Sequence, residues 1–256
     1  MNWATRRRLI YLSILTLVLL VILSIPMLFY FYEAPNCTDG KQNQDEQGID
    51  CGDVCKNLCS SQVTDLNIFW SRVLKVSDGI YNAVALVENP NLNASALNVP
   101  YVFKLYDDRN ILVYEREGKV SVPAHKTFPV FESSIITSER IPVRAFFEFI
   151  ENPNWFVSEE KNLNLNIKNK ILSGEDTKPR LEVTLENQSS SAINNLDITA
   201  IVFDINDNAI ASSKTFVQLI KKNSEYPLVF TWQESFTESV AKTEIITIPR
   251  VHSTLK

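Results

Sequence analysis

Glycine and histidine are scarce in this 256-residue sequence, with six and two copies, and residues 1–32 hold no acidic side chain. The histidines, His125 and His252, lie far apart with no nucleophile or metal partner near either in sequence, so a histidine-centred catalytic or metal site is not expected. The motifs of nucleotide, hydrolase and metalloprotease chemistry are missing too. There is no G-x-S-x-G, G-x-x-x-x-G-K-[ST], H-E-x-x-H or G-x-G-x-x-G. After residue 32 the chain also lacks a basic surplus: 22 of its 25 basic residues face all 30 acidic ones, a net charge of −8. Nucleic-acid affinity draws on Lys and Arg displacing counterions, so no nucleic-acid partner is expected. Carboxylate pairs such as Glu159 and Glu160 sit in a charged linker and read as solvated surface groups, not an acid–base pair. No enzyme is expected.

Residues 9–32 form an uncharged, largely apolar run of 24 positions. As a helix the run would be roughly 36 Å long, more than a hydrocarbon core of about 30 Å. A cleaved signal peptide has a shorter apolar region and small residues before the cut. Here the run closes on Phe29, Tyr30, Phe31 and Tyr32, an aromatic belt, and Pro26 can kink it near its end. An uncleaved signal anchor is expected. Arg6, Arg7 and Arg8 before the run, against Glu33 after it, place the N-terminus in the cytoplasm and the bulk of the chain outside the cell membrane, spanned once.

All four cysteines, Cys37, Cys51, Cys55 and Cys59, fall directly after that run. In an exported chain this reads as two disulfides, with three pairings open. Zinc is the rival reading, against which stand the x13, x3 and x3 spacings and the lack of a nearby histidine. Three of the six glycines, Gly40, Gly48 and Gly52, share this stretch with Asp39, Asn43, Asp45, Glu46, Asp50 and Asp53, a composition suited to a tight loop without its own core. Asp39, Asn43, Glu46 and Asp50 are candidate calcium ligands, since calcium takes six to eight oxygens. Alternatively they are turn residues that bond their own backbone. No other cofactor is expected. The stretch resembles a short cysteine module, C-x-D-G-x-x-N-x-x-E-x-x-x-D-C-G-x-x-C, of secreted and surface bacterial proteins. It departs from the module at Asp53, where a second glycine is common.

From residue 66 onward short apolar–polar alternations are broken by turns, the pattern of strands. Strands are expected near 66–76, 80–88, 99–107, 111–116, 128–136 and 140–150. A second series is expected near 163–172, 180–187, 196–205, 209–219, 226–233 and 243–250. The series read as a diverged repeat. Residues 84–91 answer to 182–189 with Glu88-Asn89 on Glu186-Asn187, residues 103–107 to 203–207, and residues 127–130 to 225–228. This is how a Greek-key sandwich reads. Phe103-Lys-Leu-Tyr-Asp107 matches the signature of the FxLYD domain, a small β-sandwich of bacterial and archaeal membrane-anchored or secreted proteins, and residues 78–138 resemble it. In the second copy Phe203, Ile205 and Asp207 fit the signature and Asn206 does not. Phe103 and Leu105 share a strand face and are expected in the core, with Tyr106 facing away and Asp107 opening a turn.

The expected fold is all-β: a transmembrane helix, a small disulfide-rich module and two tandem immunoglobulin-like or FxLYD-like sandwiches. Its bounds are a cytoplasmic tail 1–8, an anchor 9–32, the module 33–62, a first domain 63–152, a linker 153–162 and a second domain 163–256. The aromatic cluster Phe146, Phe147, Phe149, Trp155 and Phe156 reads as core on one face and inter-domain contact on the other; an exposed protein-binding patch is the alternative. Three N-x-[ST] sequons, at Asn36, Asn93 and Asn187, matter only where asparagine is glycosylated. The function expected is non-enzymatic display of the two domains for protein contact or envelope assembly, with an unidentified protein partner. The alternatives are a ligand- or calcium-binding module, or an accessory subunit of a secretion or pilus machine.

Overall fold

A computed structural model describes residues 2–31, 36–43, 45–158 and 163–250. The chain divides into two compact units, Met1–Cys59 and Ser60–Lys256.

In the first unit, helix α1 spans Trp3–Phe31. It therefore begins before the apolar run and includes the arginine triplet, with the Arg7 guanidinium 4.2 Å above the Trp3 ring. Leu9 through Met27 are exposed where described, and residues Trp3–Met27 are long and apolar enough to cross a membrane. Polar side chains on the helix bond back to its own carbonyls. The Ser13, Thr16 and Ser24 hydroxyls donate to Ile10, Leu12 and Val21 at 2.7–2.9 Å, as an apolar medium requires. Tyr32 and Glu33 lie outside the described residues.

The same unit holds both disulfides. Of the three possible pairings, the chain makes Cys37–Cys55 and Cys51–Cys59. The loops between them turn through positive φ at Gly40, Asp50, Gly52 and Asp53. Asp53, where the resembling module has glycine, thus adopts the glycine-type backbone itself, and its carboxylate accepts from the Gln47 side-chain amide at 3.0 Å. Gly48 has no such φ. A Cβ there would lie 2.9 Å from the Cys51 Sγ and 3.1 Å from the Cys59 Sγ, so the second disulfide fills the space of a side chain.

The second unit is all antiparallel β. Its first sandwich has strands β1 Asn67–Ser77, β2 Ile80–Asn89, β3 Ala94–Tyr106, β4 Leu112–Val122, β5 Lys126–Ile136, β6 Arg144–Phe149 and β7 Trp155–Val157. One sheet has the order β1-β2-β5; the other is β4-β3-β6, with β7 on the start of β3. The second sandwich has β8 Leu165–Ser173, β9 Arg180–Asn187, β10 Ile193–Phe203, β11 Ala209–Ile220, β12 Ser224–Thr231 and β13 Lys242–Pro249. Its sheets run β12-β9-β8 and β11-β10-β13. Alternation places one face of each central strand inside. Phe103, Leu105, Phe128 and Phe147 are buried in the first sandwich, with the rings of Phe103 and Phe147 at 4.9 Å. Leu181, Leu185, Leu196, Ile198 and Phe230 centre the second.

Two devices recur in both sandwiches. Asn89, 1% exposed, donates from its amide to the Ala94 and Pro123 carbonyls. Asn187, fully buried, donates likewise to Ser191, Ile220 and Lys221. Each asparagine thus pins a strand end to a distant loop, satisfying carbonyls that burial would otherwise orphan. Asp107 accepts from the Arg109 and Ile111 backbone N–H groups, and Asp204 accepts from those of Asn206 and Asn208.

That second device corrects the repeat. The turn-capping counterpart of Asp107 is Asp204, 97 positions on, and not Asp207; Asp207 has positive φ like Asn110 at the far side of the first turn. Phe203 therefore answers to Tyr106 and not to Phe103, whose counterpart is Ala200. The Ala241 N–H donates to the Phe203 carbonyl as the Val143 N–H does to that of Tyr106. Ile205, which the signature match set against Leu105, lies in the turn and is 78% exposed. Phe-Asp-Ile-Asn-Asp offers two aspartates, and the capping one is set by which can receive N–H groups two and four residues on.

The expected linker also shifts. Trp155–Val157 pairs with Ala94–Ala96 of β3, and Trp155 is buried. The first sandwich therefore runs past residue 152, because Trp155 needs a pocket that the start of β3 provides.

Candidate functional site

The two sandwiches meet through outer sheet faces. Ile201, Phe203 and Ala209 are buried, with Trp70, Leu86 and Ile246 packed against them. The Trp70 and Phe203 rings meet edge-on at 6.4 Å. Polar contacts flank this seam: Arg72 Nη2 donates to Asn208 Oδ1 at 2.7 Å, and Asn82 Nδ2 to the Ser212 carbonyl at 3.5 Å. The inter-domain contact is thus made by β1, β2 and β5 against β10, β11 and β13. Among the described residues the buried seam holds none from the aromatic strand β6, where the contact was expected. Phe147 faces the core, while Phe146 on the opposite face is 49% exposed.

Beside this seam lies a cleft of about 540 Å³. One wall is β1, through residues 71–76 in unbroken succession, with Val143, Arg144 and Ala145 at the start of β6. Across from them are Ala209–Ala211 and the segment after β12, including Trp232, Glu234, Ser235 and Phe236. Ser71 Oγ donates to the Ala145 carbonyl at 2.8 Å, tying β1 to β6. Lys75 pairs with Asp78 at 2.8 Å and Glu234 at 3.1 Å. These carboxylates, Asp78 first, raise the ammonium above its ordinary value. Trp232 and Phe236 stack edge-to-face at 5.3 Å, and the buried Trp232 indole N–H meets no acceptor among the described residues, a cost the fold does not offset locally. The Arg144 side chain has no ion pair or hydrogen bond among the described residues and is exposed. The cleft brings together cationic groups, aromatic rings and the Glu234 carboxylate.

A second, smaller hollow of about 380 Å³ adjoins the Asp107 turn, with Ile111, Ile141 and Val143 on its walls. In the first sandwich Tyr101 donates to Glu132 at 2.7 Å. Burial, aided by that carboxylate, raises its phenol. A Cβ on Gly118 would strike the Tyr101 hydroxyl, so this pair is structural.

The candidate calcium ligands are already engaged. Asp50 accepts from the Asp39 and Gly40 N–H groups, Asp39 from the Lys41 N–H and the Asn43 side chain, and Glu46 from the Asn43 N–H. Among the described residues a cluster of donor atoms that a metal would need joins Cys37, Glu46 and Cys55. Its two sulfurs are bonded to each other, and a metal takes thiolates. These residues therefore read as turn-formers. His125 sits at a positive-φ turn, its N–H donating to the Asn91 carbonyl. His252, Glu159 and Glu160 lie outside the described residues.

No family model matches the chain, and no curated protein matches it. Among solved structures it is similar to a red sea bream transglutaminase at a TM-score of 0.23 and 10% identity, over 73% of this chain and 31% of that one. The chain thus spans about a third of that structure's length, and the likeness carries no functional argument.

Sequence reasoning missed Trp70, Trp232 and Phe236. A signal for Trp70 was present: Ile68-Phe69-Trp70 breaks the alternation, and both a bulge between residues 68 and 70 and a covered outer face accompany it. Trp232 falls at the end of the strand expected near 226–233, one residue past the observed β12, and Phe236 stands in the polar stretch after it.

Proposed function

We propose that this chain is a single-pass membrane protein that holds its disulfide module and fused pair of sandwiches outside the cytoplasm as a platform for contact with another protein. FxLYD-type surface proteins are the kin this reading suggests, through the match at residues 103–107. The observation that carries it is the seam around Phe203, which joins two small domains beside a cleft lined by cationic and aromatic groups. Small-molecule and partner sites favour such inter-domain clefts. Two disulfides directly after the apolar helix support an oxidising compartment for the rest of the chain.

The test combines topology and proximity. A reporter that folds only in an oxidising compartment, fused after residue 256, is active. A photocrosslinking residue at Phe236 yields one discrete protein adduct in native membranes, and one at Leu219, on a different exposed surface, does not. A reporter active only in the cytoplasm, or adducts of equal yield at both positions, sinks the reading.

A further inference from the structure

We propose that the cleft receives an extended acidic peptide of a partner protein, which adds as a strand to the free edge of β1. The inference rests on the protein-contact reading above and names the partner's recognised chemistry. Among the described residues β1 is ladder-paired with β2 alone, and on its other side the Ser71 hydroxyl reaches β6 at the Ala145 carbonyl. An open edge of this kind offers a row of backbone N–H and C=O groups and is usually blunted by bulges, charges or cover. Here the irregularities fall between residues 68 and 70 and between residues 75 and 77. The regular stretch from Trp70 to Lys75 supplies most of the cleft wall, whose last β1 residue, Val76, lies in the second irregularity, and a regular run of that length suits strand addition.

Charge selects the occupant. The β1–β6 wall carries Arg72, Lys75 and Arg144. Arg72 is held by Asn208 and Lys75 by Asp78 and Glu234, whereas the exposed Arg144 guanidinium has no partner among the described residues and suits a bidentate carboxylate. Facing that wall, Trp232 and Phe236 offer an aromatic surface for the apolar residues that alternate with acidic ones in a strand.

The test uses the full chain in lipid nanodiscs and a fluorescent hexapeptide of alternating valine and glutamate, read by anisotropy. Saturable binding is expected. Arg144→Glu, at an exposed residue without partners among the described residues, weakens it at least about tenfold and admits the alternating valine–lysine peptide instead. N-methylating one alternate set of the peptide's backbone nitrogens abolishes binding, while methylating the other set leaves it, because a strand pairs through one edge. The proposal is overturned by no saturable binding up to about 1 mM, by indifference to Arg144→Glu, by both methylated peptides binding equally well, or by hexaglutamate or an acidic oligosaccharide binding as tightly as the probe. If the adduct at Phe236 forms while the peptide fails, this proposal falls and the platform reading stands.

Discussion

Strands β3 and β10 are the same strand in two copies, yet they differ in what their outer faces meet. On β3 that face carries Lys104, paired with Glu148 at 2.7 Å, and the half-buried Tyr106. On β10 the matching positions are Ile201 and Phe203, covered by Trp70 and Leu86 of the other sandwich. The inner faces differ in compensation: Phe103 fills the first core where fully buried Ala200 stands in the second. One copy thus keeps its large ring inside, and the other has moved its ring outside to make the seam. A repeated fold becomes a fused pair when one outer face trades charge for an apolar side chain.

The sharpest way to break this comparison is to remove the inner ring. Phe103→Ala leaves a cavity against Tyr101 and Phe147 and costs about 3–5 kcal/mol, close to the whole stability of a small domain. Loss of the near-ultraviolet circular dichroism of the first sandwich is the expected reading. An unchanged melt would put Phe103 outside the core. Phe203→Ala acts on the seam and not on either core. Its expected cost is at the low end of the same range, about 3 kcal/mol, and its mark is a single calorimetric transition dividing into two. A second sandwich that unfolds outright, with the first untouched, would restore Phe203 to a core role.

A smaller effect, at the Asp204 turn, depends on pH. Asn208 beside the Asp204 carboxylate, through its side chain and then its backbone N–H, holds that group below its ordinary value of 3.8. A depressed carboxyl stabilises the folded chain above its unfolded value, and the benefit is lost as pH falls through the lowered folded value. The melting-temperature gap between wild type and Asp204→Asn should therefore be full above about pH 5 and close on further acidification. A gap that stays constant down to pH 2 contradicts this.

Much of this architecture was legible in the chain. Strand positions followed from alternation, since a half-buried strand must alternate, and the apolar run at the N-terminus had the length a helix needs to cross a bilayer. Pairings that depend on three-dimensional approach were not legible. Nothing in the spacing selected Cys37–Cys55, because all three pairings close short loops. The repeat slipped by three residues because Phe203 shares its residue type with Phe103 while sharing its position with Tyr106. Trp155 looked like linker because its partner strand begins some sixty residues earlier. The cleft stayed hidden for a related reason: its walls come from β1, β6 and the segment after β12, each unremarkable alone.

Gly48 has a consequence for how the module tolerates change over generations. The space its missing side chain leaves is occupied by Cys51 and Cys59 sulfur. A single-base change to alanine or serine there would leave every cysteine codon intact and still favour a wrong partner during oxidation. The identity of the bridges is therefore inherited at a fifth position as well as at four, and a lineage can lose the module's wiring without losing a cysteine.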